Sequence, residues 1–192
     1  KAYYPDTKSD MSTVMMERTL QMCKPNGFMA MINIPVWMFL SSYEKLREHL
    51  IAENTIINMV HPGRGIFGSD FGTTSFVIGK SHVSGYVGSY CRLFNKQGEV
   101  QSIEEREQAF LSGKGRYTTQ QSDFSKIPGS PVAYWISGKF LEDFEKGISV
   151  DNISDFTGSQ HKTANNEKYL RYWWGINRSE IDSQNWIFYI KA

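Results

Sequence analysis

A layered α/β domain passing into a mixed α+β segment is the fold this chain predicts, on three observations. A nearly continuous apolar run of strand length, residues 28–34 (FMAMINI), follows directly on Gly27, the pattern of a strand covered on both faces of a sheet. Segments of helical and strand periodicity alternate through the first half of the chain. The 192 residues, 40% of them hydrophobic, suffice for one good-sized domain or two small ones with an ordinary core.

The elements follow in order. In residues 10–23, Met11, Val14, Met15, Leu20 and Met22 fall largely at helical spacing, and Lys24-Pro25-Asn26-Gly27 ends the helix in a turn. The strand at 28–34 closes at Pro35. Ser41 or Ser42 caps the next helix, residues 43–53, where Leu46, Leu50 and Ile51 mark the buried stripe and Glu44 and Glu48 favour the helical start. Residues 55–60 (TIINMV) and 73–78 (TTSFVI) read as strands on either side of a glycine-rich loop, residues 63–72. Beyond a boundary near residues 95–100 the character changes. Residues 101–111 form a short charged helix, 113–138 read as loop with only 132–136 apolar enough for a strand, and 139–146 read as helix. Residues 155–177 are polar and aromatic together, and 186–190 read as an edge or interdomain strand.

Composition excludes several classes of function. Twenty-one Lys and Arg against twenty Asp and Glu leave a net charge of +1, so any nucleic-acid surface is a local patch. Cys23 and Cys91 match no metal-ligand spacing and suit a reducing compartment, and the longest apolar run is far short of the roughly 20 residues a membrane span needs. A cytoplasmic protein without a membrane segment or metal is expected. Opening on Lys1 rather than Met, the chain reads as a piece of a longer one.

Few motifs carry chemistry. Gly63-Arg64-Gly65-Ile66-Phe67-Gly68 satisfies G-x-G-x-x-G, yet a strand rather than a helix follows, which argues against a dinucleotide site and for a loop joining two strands. Gly79-Lys80-Ser81 lacks the first glycine of a P-loop, Thr74 standing in its place. Residues 33–37 (NIPVW) have one proline too few for the Asn-Pro-Pro-aromatic signature of amino-methyltransferases, and read as a strand end. His49, His61, His82 and His161 show no ligand spacing and read as surface or capping residues. In residues 158–178, Lys162, Lys168, Arg171 and Arg178 are interleaved with Tyr169, Tyr172, Trp173 and Trp174. That mixture suits a nucleic-acid face; the alternative is that Leu170, Trp173 and Trp174 pack into a core ringed by charge.

Three stretches, residues 31–47 (MINIPVWMFLSSYEKLR), 63–72 (GRGIFGSDFG) and 127–137 (IPGSPVAYWIS), resemble the large adenine-specific DNA methyltransferases of BREX phage-defence systems, the PglX type, relatives of Type IIG restriction-modification enzymes. Thr157 to Gln160, Thr163, Asn165-Asn166 and Leu170 to Trp174 resemble the stretch that opens that family's target-recognition region. The resemblance implies the distal half of a Rossmann-like methyltransferase sheet at residues 1–97, and the start of a target-recognition segment, mixed α+β, at 98–192. It implies an S-adenosylmethionine-dependent parent that flips an adenine from double-stranded DNA and methylates N6, with other phage-defence proteins as partners. The cofactor loop and the Asn-Pro-Pro-Tyr-like motif are not in this chain, so the isolated piece is expected to be inactive and to hold no cofactor. Phe67, then Phe71, are the residues expected to stack on the flipped base, the alternative being Phe67 packed on Ile66 and Phe76. Arg64, Ser159, Gln160, Lys162, Thr163, Asn165, Asn166, Lys168 and Arg171 are expected at DNA. The rival reading is a non-catalytic DNA-recognition or protein-interaction module on a methyltransferase-like scaffold.

Overall fold

The computed structural model describes residues 3–68, 71–96, 98–154, 165–181, 186 and 188. It divides into two compact units, residues 1–148 and 149–192. No helix among the described residues is long and apolar enough to cross a membrane.

The first unit is built on a five-stranded mixed sheet. Helix α1 (Met11–Met22) starts at Asp10, whose carboxylate accepts from Ser12 N at 2.7 Å, and precedes strand β1 (Phe28–Asn33). Helix α2 (Glu44–Glu53) crosses from β1 to β2 (Thr55–Gly63). Strand β3 (Thr73–Gly79), β4 (Val87–Arg92), helix α3 (Ile103–Leu111), β5 (Arg116–Gln120) and helix α4 (Gly138–Lys146) follow. The strand order is β1-β3-β2-β4-β5. β3 runs antiparallel to both β1 and β2, β2 is parallel to β4, and β5 is antiparallel to β4. β1, β2 and β4 therefore point the same way, and their carboxyl ends, Asn33, Gly63 and Arg92, share one edge of the sheet.

One apolar core joins α1 (Met16, Leu20), α2 (Leu46, Leu50, Ile51) and the inward residues Met29, Ile56, Met59, Phe76, Ile78 and Tyr90 of the sheet. Trp37 and Met38, in a 3-10 turn after β1, are fully buried within it. The predicted helices and the strands at 55–60 and 73–78 form where expected. Several other expectations are corrected.

β1 is not covered on both faces: Met29 and Asn33 point inward, while Phe28 and Ile32 are 69% and 58% exposed. It is an edge strand, packed on one side by α1. Ser41 and Ser42 do not cap α2; they sit in a 3-10 turn, Ser41–Tyr43, that runs into it without a side-chain cap. The apolar run 132–136 is no strand. Pro131 lacks an N–H, Ala133 N bonds back to Pro131 O and Ile136 N to Ala133 O, so the run folds as turns with Val132 and Tyr134 in the core. The strand of this region is the polar β5, whose Thr-rich alternation suits a sheet edge. β5 bonds to β4, and the turn after it drives Phe124 into the same core, so residues 98–148 are part of the first unit.

In the second unit, α5 (Asn166–Tyr169) is capped by Asn165, whose side chain accepts from Lys168 N at 3.0 Å. Of the expected strand at 186–190, Trp186 makes a single bridge to Ile181, and residues 187, 189 and 190 lie outside the described residues.

Candidate functional site

The carboxyl ends of parallel strands are where open α/β sheets place their ligands, and here that edge carries the glycine-rich loop. Gly63 ends β2 at φ +84°, pressed on the Phe94 ring; a Cβ there would lie 2.9 Å from Phe94 Cδ1. Gly65, at φ +81°, and Gly68, at φ +68°, keep the chain in left-handed turns. Between them Phe67 itself stands at φ 59°, ψ 25°, a conformation aromatic residues rarely adopt. Its ring is 74% exposed, so it is not packed on Phe76, which instead meets Trp37 edge-on at 5.2 Å inside the core. Phe71 is 72% exposed on the same loop. Arg64 lies on it too, its carbonyl accepting from the Arg106 guanidinium of α3.

Beneath the loop lies a polar and aromatic cluster. His61 is 3% exposed, with the Tyr134 hydroxyl 3.3 Å from Nδ1 and the Phe94 ring edge-on at 4.8 Å. Tyr134 stacks on Tyr90 at 4.8 Å. The Arg92 guanidinium covers the Phe94 and Trp135 rings at 4.5 and 4.8 Å. His61 was expected at the surface. Its burial follows from strand alternation, since Met59, His61 and Gly63 share the inward face of β2, a signal present in the sequence. His82 does serve as a capping residue, its Nδ1 3.1 Å from Ile51 O, and His49 is exposed.

Burial first, and the Arg92 charge second, push His61 down to about 4 from 6.5. The folded value lies below the unfolded one, so this contribution to stability is complete above pH 6.5 and is lost as pH falls from 6.5 toward 4. It amounts to on the order of 3 kcal/mol. Urea unfolding of the chain and of His61→Gln across that range should give curves that converge at low pH. Curves that stay parallel refute it.

Asn33 is spoken for: its Nδ2 donates to Ser12 O at 3.2 Å and its Oδ1 accepts from Ile34 N at 2.8 Å, as befits a strand end. Among the described residues no group of three His, Cys, Asp or Glu gathers as a metal site.

In the second unit, Ser159, Gln160, Lys162, Thr163 and His161 lie outside the described residues. Asn165, Asn166, Lys168 and Arg171 fall together on and beside α5. Lys168 Nζ lies 5.0 Å from the centre of the Tyr169 ring, and Arg171 donates to Glu167 O and Leu170 O, both at 2.7 Å. Tyr172 and Trp174 stack at 4.4 Å, with Trp173 edge-on to Trp174. Trp173 and Trp174 are 70% and 66% exposed, so the alternative of a core built on them does not hold.

Residues 1–67 match the family model described as Eco57I restriction-modification methylase. The chain is 40% identical to the adenine-specific methyltransferase PglX of Lacticaseibacillus casei (strain Zhang), over 89% of this chain and 15% of that protein. It is 39% identical to the adenine-specific methyltransferase BrxX of Escherichia coli O9:H4 (strain HS), over 95% and 15%. It thus spans about 15% of the length of these relatives. Among solved structures it is similar to the type I restriction enzyme EcoKI M protein, with a TM-score of 0.42 and 16% identity, covering 54% of this chain and 24% of that one.

Proposed function

This chain is a relative of one segment of the adenine-specific methyltransferases PglX and BrxX, and from that premise we propose that it is part of a DNA adenine-N6 methyltransferase of phage defence or restriction-modification. The observation that carries the reading is an identity near 40% sustained over 89% and 95% of the chain. Residues 1–97 are the distal part of the catalytic domain, and residues from 98 onward begin target recognition. The adenine N6 is out of reach inside a stacked duplex, so the base is flipped to the sheet edge formed by the ends of β1, β2 and β4.

Phe67 meets it there, with Phe71 as second candidate. An aromatic ring held in the left-handed region and displayed to solvent is strain kept at a place where something docks. S-adenosylmethionine is the methyl donor such an enzyme takes. The described residues do not fit it: the one glycine-rich loop leads through a 3-10 turn into β3 rather than into a helix. This chain alone binds the cofactor weakly and transfers no methyl group; tight binding in a calorimetric titration counts against this.

Arg64, Lys162, Lys168 and Arg171 neutralise phosphates, and Ser159, Gln160, Thr163, Asn165 and Asn166 supply hydrogen bonds to base edges. In the full-length enzyme, Phe67→Ala should lower kcat/KM for methyl transfer about 5- to 150-fold, the range that roughly 1–3 kcal/mol of stacking implies, while Phe67→Trp retains most activity. Unchanged kcat/KM in Phe67→Ala removes Phe67 from the base site.

A further inference from the structure

We infer that Arg106 is the positioning residue of the glycine-rich loop, the group that holds Phe67 out toward its ligand. The inference rests on the assignment of Phe67 given above.

Arg106 is 3% exposed. Its guanidinium donates to the carbonyl of Arg64, three residues before Phe67, and its Nε and NH1 find no hydrogen-bond partner among the described residues. A buried guanidinium normally meets a carboxylate; this one meets loop backbone instead. Its own base is rigid, because α3 begins with a complete capping box. Ser102 Oγ accepts from Glu105 N at 3.1 Å, and the Glu105 carboxylate accepts from Ser102 N at 3.0 Å.

The loop is fitted to that post. A Cβ on Gly65 would lie 3.8 and 3.9 Å from the two terminal guanidinium nitrogens and 3.3 Å from Val100 Cγ1, so the backbone crosses directly over the charge at the one residue type without a side chain. Two residues later Phe67 turns left-handed, a state that persists only where its surroundings over-determine it. Tied to Arg106 on one side and relaxed through Gly68 on the other, the chain delivers the Phe67 ring to solvent. The unpaired Nε and NH1 leave donors next to the same backbone. A purely structural residue at this buried place need carry no charge.

The test uses this chain with 4-fluorophenylalanine at position 67, read by fluorine NMR, alongside trypsin cleavage at the Arg64–Gly65 bond. With Arg106 intact, the fluorine gives one resonance distinct from that of the free amino acid, and cleavage after Arg64 is slower than after Lys114, which lies in an exposed turn. Arg106→Met should move the resonance toward the free amino acid and speed cleavage about tenfold or more, since losing a charge-assisted bond raises the open population by that factor. Arg106→Lys, which keeps one donor group, should fall between. An unchanged resonance and cleavage rate in Arg106→Met overturn the inference. Should that variant not fold, the unsubstituted chain decides: cleavage after Arg64 as fast as after Lys114 overturns it equally. Methyl transfer by Phe67→Ala in the full-length enzyme separates the two assignments. A resonance that follows Arg106, with kcat/KM unchanged in Phe67→Ala, upholds the positioning role and counts against base stacking alone.

Discussion

Arg47→Met is expected to destabilise the chain by about 4 kcal/mol and to lower its melting temperature by roughly 8–16 °C. Arg47 is 1% exposed on α2, yet its bonds go to backbone carbonyls outside that helix. Nε and NH2 both donate to Gly129 O, at 2.9 and 2.6 Å, and NH1 donates to Trp37 O at 2.9 Å and to Leu40 O at 2.7 Å. One planar fork thus ties the turn after β1 to the Pro128-Gly129 turn, joining two of the stretches that carry the family resemblance. Burial pulls the guanidinium pKa down from its ordinary value, with Glu44 and Glu48 on the same helix opposing that. Methionine fills most of the volume but leaves the Gly129 and Trp37 carbonyls without their donor, at about 1–3 kcal/mol each where no water replaces it, while Leu40 O keeps its bond from Tyr43 N at 3.0 Å. Arg47→Lys keeps the charge on a single nitrogen that cannot serve both turns, so about half the loss should remain. Urea unfolding at neutral pH measures both, as a shift in midpoint with the slope unchanged. A loss below about 1 kcal/mol for Arg47→Met means the carbonyls are satisfied without the fork, and the account fails.

Trp37→Ala should cost about 3–5 kcal/mol by emptying the centre of the core, where the indole is fully buried and meets the Phe76 ring edge-on at 5.2 Å. Trp37→Phe is the sharper comparison. The indole Nε1 has no partner among the described residues, so phenylalanine removes an unsatisfied polar group while keeping an aromatic edge for Phe76. Its cost should stay well below that of Trp37→Ala, at about 1–2 kcal/mol, because phenylalanine leaves only the volume of the lost pyrrole ring empty. Equal losses in the two variants would falsify the orphaned indole, since they would mean that Nε1 makes a bond the fold depends on.

The local parts of this fold were legible because their causes are local. The helical spacing in 10–23 and the charged run 101–111 placed α1 and α3 to within two residues, and the apolar stripe Leu46, Leu50, Ile51 marked the inner face of α2. The glycine loop was recognisable as a strand connection for the same reason: a helix is what the phosphate-binding reading required, and residues 73–78 do not make one. Where apolar content stood in for strand pairing, the reading went astray. Residues 132–136 are more hydrophobic than 116–120, yet Pro131 and the turn bonds after it keep the former from pairing, while Thr118 and Thr119 find partners in Ser89 and Gly88 of β4. Of the candidate site, Phe67 was nominated from its place in the loop. Nothing in the sequence indicated that Arg106, 42 residues from Arg64, would hold the loop.

By itself the sequence determined the α/β alternation, the helix starts and stops, and the kinship with adenine-specific methyltransferases, because propensity, capping and residue identity are written position by position. The tertiary structure alone decided that β3 inserts between β1 and β2, and that β1 shows one face to solvent. It alone decided too that Arg47 and Arg106 are buried and that His61 faces Tyr134. The physical reason is that each of these outcomes depends on a partner distant in the chain. Arg47 meets Gly129 across 82 residues and His61 meets Tyr134 across 73, and the gain from such a contact exists only once the sheet has brought both ends together.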